Sequence, residues 1–290
     1  MDLMIFGCGY SGTAIARAFI GSGATVAGTT RTAEKATALA AEGIQSFVFD
    51  GDHVDEKLAR RLSGVTHLVQ SIPPGAAGDP LLELSGNRLR TLFPKLEWIG
   101  YLSTVGVYGD HGGEWVDEES DCRPSPGRSQ QRVEAEQAWL SAGQAAGLPV
   151  AVLRLAGIYG PGRNAFVNLE KGTARRIVKK GQVFNRIRVE DIAGATLCLA
   201  RSGHGGIFNI TDDEPAPPQD VIAEAARQMG VQPPLEQAFE TAEMTPMARS
   251  FYGANKKASN RKIRDLGFRL DFPHYRMSLR QLWDTGTWKG

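Results

Sequence analysis

No apolar run in this sequence approaches the ~18 residues that a membrane-spanning helix needs. Cysteine is equally scarce: Cys8, Cys122 and Cys198 share no spacing that marks a disulfide framework or a zinc site. The five histidines, His53, His67, His111, His204 and His274, show no metal-ligand spacing either, so no metal is expected. An excess of either charge is also missing, since 33 Lys and Arg face 32 Asp and Glu for a net +1. Such a balance gives no reason to expect nucleic acid or a membrane surface as partner. The basic cluster Lys256, Lys257, Arg261, Lys262 and Arg264 accordingly reads as a solvated helix face. A G-x-S-x-G elbow, the mark of one hydrolase class, is absent. The opening MDLMIFGCGYSG, acidic at Asp2 and then glycine-rich, lacks the pattern of a secretory signal. These absences leave a reducing, cytoplasmic home as the expectation.

What is present points to layers. Across 290 residues, 42% hydrophobic content supplies a sizeable core. Short apolar runs alternate with helical patterns, as parallel strands joined by crossover helices require. LMIFG, ATVAGTTR, IQSFVFD, VTHLVQSIPP, LEWIGYLST and LPVAVLRLAGIYG read as six strands, and GGIFNIT as a later one that returns to the sheet. TAIARAFIGSG, TAEKATALAAEG, RVEAEQAWLSAG and VEDIAGATLCLA read as helices, with a further helix near FVNLEKGTARRIVKKG. The expected fold is α/β, a Rossmann-type doubly wound parallel sheet with a small, discontinuous C-terminal substrate lobe. Residues 1–160 plus 185–215 are assigned to a dinucleotide-binding domain, and 161–184 plus 216–290 to the smaller lobe.

Gly7, Gly9 and Gly12 form G-x-G-x-x-G between the first strand and the first helix. The first glycine turns the chain tightly, the second lets backbone approach a pyrophosphate, and the third lets helix pack on strand. The helix start adds free N–H groups and partial positive charge. Tyr10 and Ser11 inside the motif, Thr30, and Ser71 and Ile72 near the end of the fourth strand join the glycines as expected cofactor contacts. An NAD site usually carries a carboxylate about 20 positions on, bonded to the ribose 2′-hydroxyl. Here the second strand ends in Thr29, Thr30, Arg31 and Thr32. Arg31 can make a forked, charge-assisted contact with a 2′-phosphate. NADP is therefore expected, with NAD the alternative. Asp50, ending the third strand, either accepts a bond from the adenine amino group or serves as a loop turn.

STVGVYGD (103–110), LPVAVLRLAGIYGPGR (148–163), RIRVEDIAGATLCLA (186–200), FNITDDE (208–214) and NRKIRDLGF (260–268) follow in order. In this sequence of motifs the chain resembles the extended short-chain dehydrogenase/reductase family, which includes NAD-dependent epimerases and dehydratases. The resemblance implies a catalytic Ser or Thr hydroxyl, a Tyr acid/base and a Lys spaced Y-x-x-x-K. It puts Thr104 at the hydroxyl position, and Tyr108 and Tyr159 in loops flanking the nicotinamide. The dyad, however, is missing. With Glu136 at the family's glutamate, Arg132 falls at the Lys position and Arg128 at the Tyr position; another register gives Gln130 and Pro126. No Lys occurs between Lys95 and Lys171, and no Tyr between Tyr108 and Tyr159. Arginine does not titrate in the usable range, so neither arginine replaces the phenol. The chain thus resembles atypical members that keep the cofactor fold and lose the dyad.

Two functional expectations follow. The first is an NADP-dependent oxidoreductase or epimerase-like enzyme with a small-molecule substrate between its lobes. Thr104 would polarise the reacting oxygen, and Tyr108, water or the substrate would supply the proton. Arg163, Arg186 and Arg188 are candidate grips for substrate phosphate or carboxylate. The second is a non-catalytic NADP-binding redox sensor. A homodimer is implied by the resemblance alone.

Overall fold

The computed structural model describes residues 1–86 and 88–290. Seven strands form the central sheet: β1 (Asp2–Phe6), β2 (Thr25–Thr30), β3 (Gln45–Val48), β4 (His67–Gln70), β5 (Trp98–Thr104), β6 (Val150–Leu155) and β7 (Gly206–Ile210). Their order is β7-β6-β5-β4-β1-β2-β3, and the pairings among β1 to β6 are parallel. β1, β4 and β6 are buried on both faces from Leu3 to Phe6, His67 to Gln70 and Val150 to Leu155. That is why these strands read as continuous apolar runs rather than alternating ones.

The chain winds outward from β1 through β2 to β3, then crosses back to place β4 on the other side of β1. The two halves therefore diverge between β1 and β4, and open α/β sheets bind ligands at the carboxyl ends of the strands at such a point. The helix Tyr10–Gly21 packs there by Ser11, Gly12, Ile15, Ala16 and Phe19, one face at helical spacing. On the sheet itself, Phe6 meets Phe49 and Phe93 edge-on, with centroids 5.2 and 6.3 Å apart.

Two compact units emerge. The first comprises Met1–Val107, Pro124–Leu155 and Ile192–Phe208; the second comprises Tyr108–Arg123, Ala156–Asp191 and Asn209–Gly290. The second unit takes residues 108–123, 156–160, 185–191 and 209–215, which the sequence pattern assigns to the first. Strand pairing involves three of these segments: Trp115–Val116 pairs with Lys257–Ala258, and Gly157–Tyr159 with Arg186–Arg188. The second unit has its own core of Phe166, Tyr275, Leu279, Leu282 and Trp288.

The helix expected near 166–181 is shorter in the structure. It spans Ala165–Glu170, capped by Asn164, whose side chain accepts from the Val167 amide. Gly172, at φ +65°, turns the chain out of the helix. Arg176–Val178 then pairs as a strand with Glu236–Ala238. Among the described residues no helix is long and apolar enough to cross a membrane.

Asp191, in the first turn of the helix Val189–Ser202, accepts backbone N–H groups from Asp271 (2.7 Å) and Phe272 (3.1 Å). It thereby ties the C-terminal segment down. Burial pushes its carboxyl up to about 6 from an ordinary 3.8. The folded carboxyl thus holds its proton more tightly than the unfolded one. Its contribution to stability is full below about pH 4 and lost as the pH rises through 6. Asp191→Asn should remove this dependence. Urea midpoints at pH 4 and pH 7 should change differently in variant and wild type by roughly 2 kcal/mol. Parallel pH profiles would refute the assignment.

Candidate functional site

The glycine loop owes its shape to two close approaches. Gly7 has φ +82°, and a Cβ there would stand 2.9 Å from Ile72 Cγ1 and 3.1 Å from the Ile72 amide nitrogen. At Gly12 a Cβ would meet the Gly7 carbonyl oxygen at 3.0 Å and Ile5 Cγ2 at 3.3 Å. Both positions are closed to a side chain. Gly9 differs: its Cβ would have the Gly7 oxygen at 4.0 Å as its nearest neighbour and would otherwise enter open space. Backbone at Gly9 can therefore be approached closely from outside. The loop is pinned from below, since the Gly7 amide donates to Thr29 Oγ1 (2.9 Å) and the Cys8 amide to the Thr29 carbonyl (2.7 Å). Gly9 caps the helix Tyr10–Gly21 without a side-chain bond, and its first turn has no acidic residue. An anion of pyrophosphate type fits this cradle: open on one side, lined by amides and set at a positive helix end.

Arg31 is exposed and makes no ion pair or hydrogen bond among the described residues. Thr30 is buried, and Thr32 caps the next helix by accepting from Lys35. Asp50 is exposed, and its carboxylate accepts the Asp52 amide at 3.0 Å. That local bond, the largest of several backbone contacts, lowers its pKa. Asp50 thus forms the loop turn, one of its two expected roles. Ser71 and Ile72 leave β4 beside Gly7, with the Ser71 amide donating to the Phe6 carbonyl. Gln70 holds this exit by donating both of its bonds, 2.8 and 2.9 Å, to the buried Asp79 carboxylate. Cys8 is buried, and burial pushes its thiol up to about 11, which makes it a poor nucleophile.

Thr104 ends β5 half-buried, and its Oγ1 accepts the Gly106 amide at 3.0 Å. A hydroxyl that accepts one bond keeps its proton for another acceptor. The helix expected from residue 132 begins a turn earlier and spans Arg128–Ala146. This brings Ser129 Oγ to 3.7 Å from where a Gly106 Cβ would stand, beside Thr104 Oγ1 at 3.3 Å from the same point. Ser129 carries neither the phenol nor the amine of the family's Y-x-x-x-K pattern, so that pattern does not mark it. The motif S-x-x-R-x-x-x-E, read at helical spacing, would have found it.

Along the same face, Arg132 donates to the Leu102 carbonyl (2.7 Å) and Tyr101 hydroxyl (3.2 Å). Glu136 is buried, accepts from Ser103 Oγ at 2.5 Å and forms a two-pronged pair with Arg154, closest at 2.7 Å. Arg128, at the expected Tyr position, is exposed.

Several expected residues are built differently. Tyr108, expected in a loop flanking the nicotinamide, is fully buried, donates to Asn209 Oδ1 at 2.8 Å and meets His111 edge-on. A phenol fixed in this way serves packing rather than proton transfer. Tyr159 belongs to the second unit, where burial, its largest influence, pushes its phenol well above the ordinary value. Arg188 is 1% exposed and spends all five N–H donors on Glu190, Ser278 and Gln281. With no donor left over, it holds the second unit together and is not a substrate grip. Arg163 is exposed and Arg186 half-buried, both in the second unit. Among the described residues no group of His, Cys, Asp or Glu could hold a metal ion.

Residues 3–211 match the model of the NAD dependent epimerase/dehydratase family, and the chain belongs to that family. A conserved protein of unknown function from Silicibacter pomeroyi DSS is 42% identical and superposes with a TM-score of 0.88, covering 98% of this chain and 99% of its own. Protein YeeZ of Escherichia coli K12 is 29% identical over 249 residues, 79% of this chain and 84% of YeeZ. The human epimerase family protein SDR39U1 (isoform 2), solved with NADPH, shares the fold at 18% identity and a TM-score of 0.73, covering 98% of this chain and 99% of that one.

Two substitutions test the loop geometry. Gly7→Ala should lower the unfolding midpoint by several degrees, through strain at positive φ and the Ile72 contact. Gly9→Ala should stay within about 2 °C of wild type, because its methyl enters open space. Equal effects in thermal unfolding would contradict this picture. Arg154→Met should cost about 3–5 kcal/mol in urea unfolding by leaving the Glu136 carboxylate buried and unpaired. A cost below about 1 kcal/mol would show that water reaches the pair.

Proposed function

We propose that this protein binds NADP(H) on its glycine loop and acts as an oxidoreductase or epimerase-type enzyme on a small molecule. The observation that carries the reading is the joint geometry of Gly9, open to approach, and Arg31, exposed without a partner. A carboxylate after β2 would repel a 2′-phosphate; an unengaged guanidinium attracts it. SDR39U1 was solved with NADPH, so the shared fold accommodates that nucleotide, and Arg31 alone carries the preference.

The bound dinucleotide would supply or take up hydride. The chain's own part is played at the end of β5. Thr104 accepts the Gly106 amide and so directs its proton outward, to donate to a substrate carbonyl or hydroxyl oxygen. Ser129 brings a second hydroxyl to the same glycine, its Oγ 3.7 Å from where a Gly106 Cβ would stand. Arg132 remains a fixed cation on β5 and cannot exchange a proton. The proton of the reaction therefore comes from water or from the substrate. A second reading, a non-catalytic NADP-dependent redox sensor, draws support from the same Arg132 bond and from the burial of Tyr108.

Fluorescence titration of NADPH and NADH, with Arg31→Ala alongside wild type, tests the cofactor. Loss of charge-assisted bonds to the 2′-phosphate should weaken NADPH binding about 10- to 100-fold and leave NADH unchanged. Equal weak affinity for both nucleotides would end the NADP assignment. A carbonyl-substrate screen for NADPH oxidation, controlled by Thr104→Ala, separates enzyme from sensor. Turnover that falls about 10-fold or more in the variant supports the enzyme. No turnover, with a large affinity difference between NADPH and NADP⁺, supports the sensor.

A further inference from the structure

Unspent hydrogen-bond donors gather at the end of β5. Thr104 Oγ1 accepts the Gly106 amide at 3.0 Å, and its own proton is bonded to nothing among the described residues. The half-buried Ser129 hydroxyl makes no bond among them either. Arg132 uses one terminal nitrogen, Nη1, for both the Leu102 carbonyl and the Tyr101 hydroxyl. The N–H groups on its Nε and Nη2 have no partner among the described residues. Nothing local cancels its charge: the first turn of the helix Arg128–Ala146 has no acid, and Glu136 is paired with Arg154.

Spacing brings these donors together. Ser129 and Arg132 lie one turn apart on one helix face, with ~5–6 Å between their Cβ atoms. Thr104 stands two residues beyond Leu102, whose carbonyl holds Arg132, or roughly 7 Å along β5. At the hydroxyls the chain has glycine. A Cβ on Gly106 would stand 3.3 Å from Thr104 Oγ1 and 3.7 Å from Ser129 Oγ, so its absence leaves room for an oxygen atom of a ligand.

Such donors favour an oxygen that carries negative charge. None of them can discharge it, because neither a guanidinium nor an aliphatic hydroxyl titrates in the usable range. The charge must then be one that the bound molecule tolerates on its own oxygen. An isolated alkoxide does not meet that condition. A phenolate does, since a phenol ionises near pH ~10, and an enolate is delocalised in the same way.

We infer that the end of β5 is an oxyanion site, where Thr104, Ser129 and Arg132 hold the oxygen of a conjugated carbonyl compound, an enone or quinone, whose reduced form is an enolate or phenolate. The substrate class rests on the proposed function above; the oxyanion site does not. In the enone, hydride from the reduced nicotinamide forms a C–H bond at the far carbon. The C=C π bond re-forms next to the carbonyl carbon, and the carbonyl π pair moves onto oxygen. The nicotinamide is left oxidised, and water returns the proton to the released enolate.

Para-nitrophenol, whose ionised form absorbs visible light, tests the site on the full chain without nucleotide. Bound probe should ionise about 10-fold or more readily than free probe. Para-nitroanisole, which cannot ionise, should bind about 10-fold or more weakly than the phenolate. Gly106→Ala should weaken phenolate binding about 10-fold or more by filling the place of the oxygen, with circular dichroism matching wild type. Arg132→Met should abolish the ionisation shift; should that variant not fold, Gly106→Ala decides. An unshifted probe, para-nitroanisole bound as tightly, or unchanged affinity in folded Gly106→Ala would each overturn the inference. The substrate class is read from NADPH oxidation with cyclohexenone and cyclohexanone, where the enone should react about 10-fold or more faster. Equal, reversed or absent rates despite NADPH binding would overturn the class. NADPH binding is scored separately: without nucleotide uptake the proposed function and the class fail together, while the nitrophenol shift still decides the oxyanion site.

Discussion

The crossing of Gly7 against the exit of β4 is the constraint from which the candidate site follows. Because β4 pairs with β1 on the side opposite β2, the chain leaving β1 must pass directly over Ser71 and Ile72. No side chain fits there, and the positive φ suits glycine alone. Thr29 fixes the loop from the neighbouring strand through two short bonds. With the loop held on both sides, the helix Tyr10–Gly21 must start where it does, and Gly9 is left facing outward. The anion cradle is thus a by-product of how the sheet reverses its winding, which is why ligands favour that place in open α/β sheets.

Much of this was legible in the residues, because it depends on short-range patterns. Continuous apolar runs declared the parallel strands, and the glycine spacing declared the loop. What escaped was set by distant pairing. Residues 185–191 read as part of the first domain, yet Arg186–Arg188 forms a strand with Gly157–Tyr159 in the second unit. The helix expected through residue 181 stops at Glu170, since Gly172 takes a left-handed conformation and Arg176–Val178 finds a strand partner some 60 residues away. At the site, the fixed cation of Arg132 could be anticipated, but its carbonyl partner could not. The burial of Tyr108 escapes the sequence because a position in a motif says nothing about what lies over the ring. Arg163, Arg186 and Arg188 look alike in sequence, and only the partners of each separate a structural guanidinium from one that faces a cavity.

Replacing a titrating pair with arginine alters what the β5 edge can do. Arg132 and the Glu136–Arg154 pair bind the helix Arg128–Ala146 to β5 and β6 through fixed charges. These bonds hold the helix in place, whereas a Tyr–Lys pair also exchanges a proton. General acid–base help is worth about 10²–10⁴ in rate. Orientation of reactants and preorganised donors can supply as much or more. Under the proposed function, a chain without the first would rely on the second and would suit substrates that carry their own exchangeable proton or release one to water. It also suits reactions in which hydride transfer alone is difficult. Under the proposed function the hydroxyls of Thr104 and Ser129 would fit that division of labour, orienting and polarising an oxygen without a change in their own protonation.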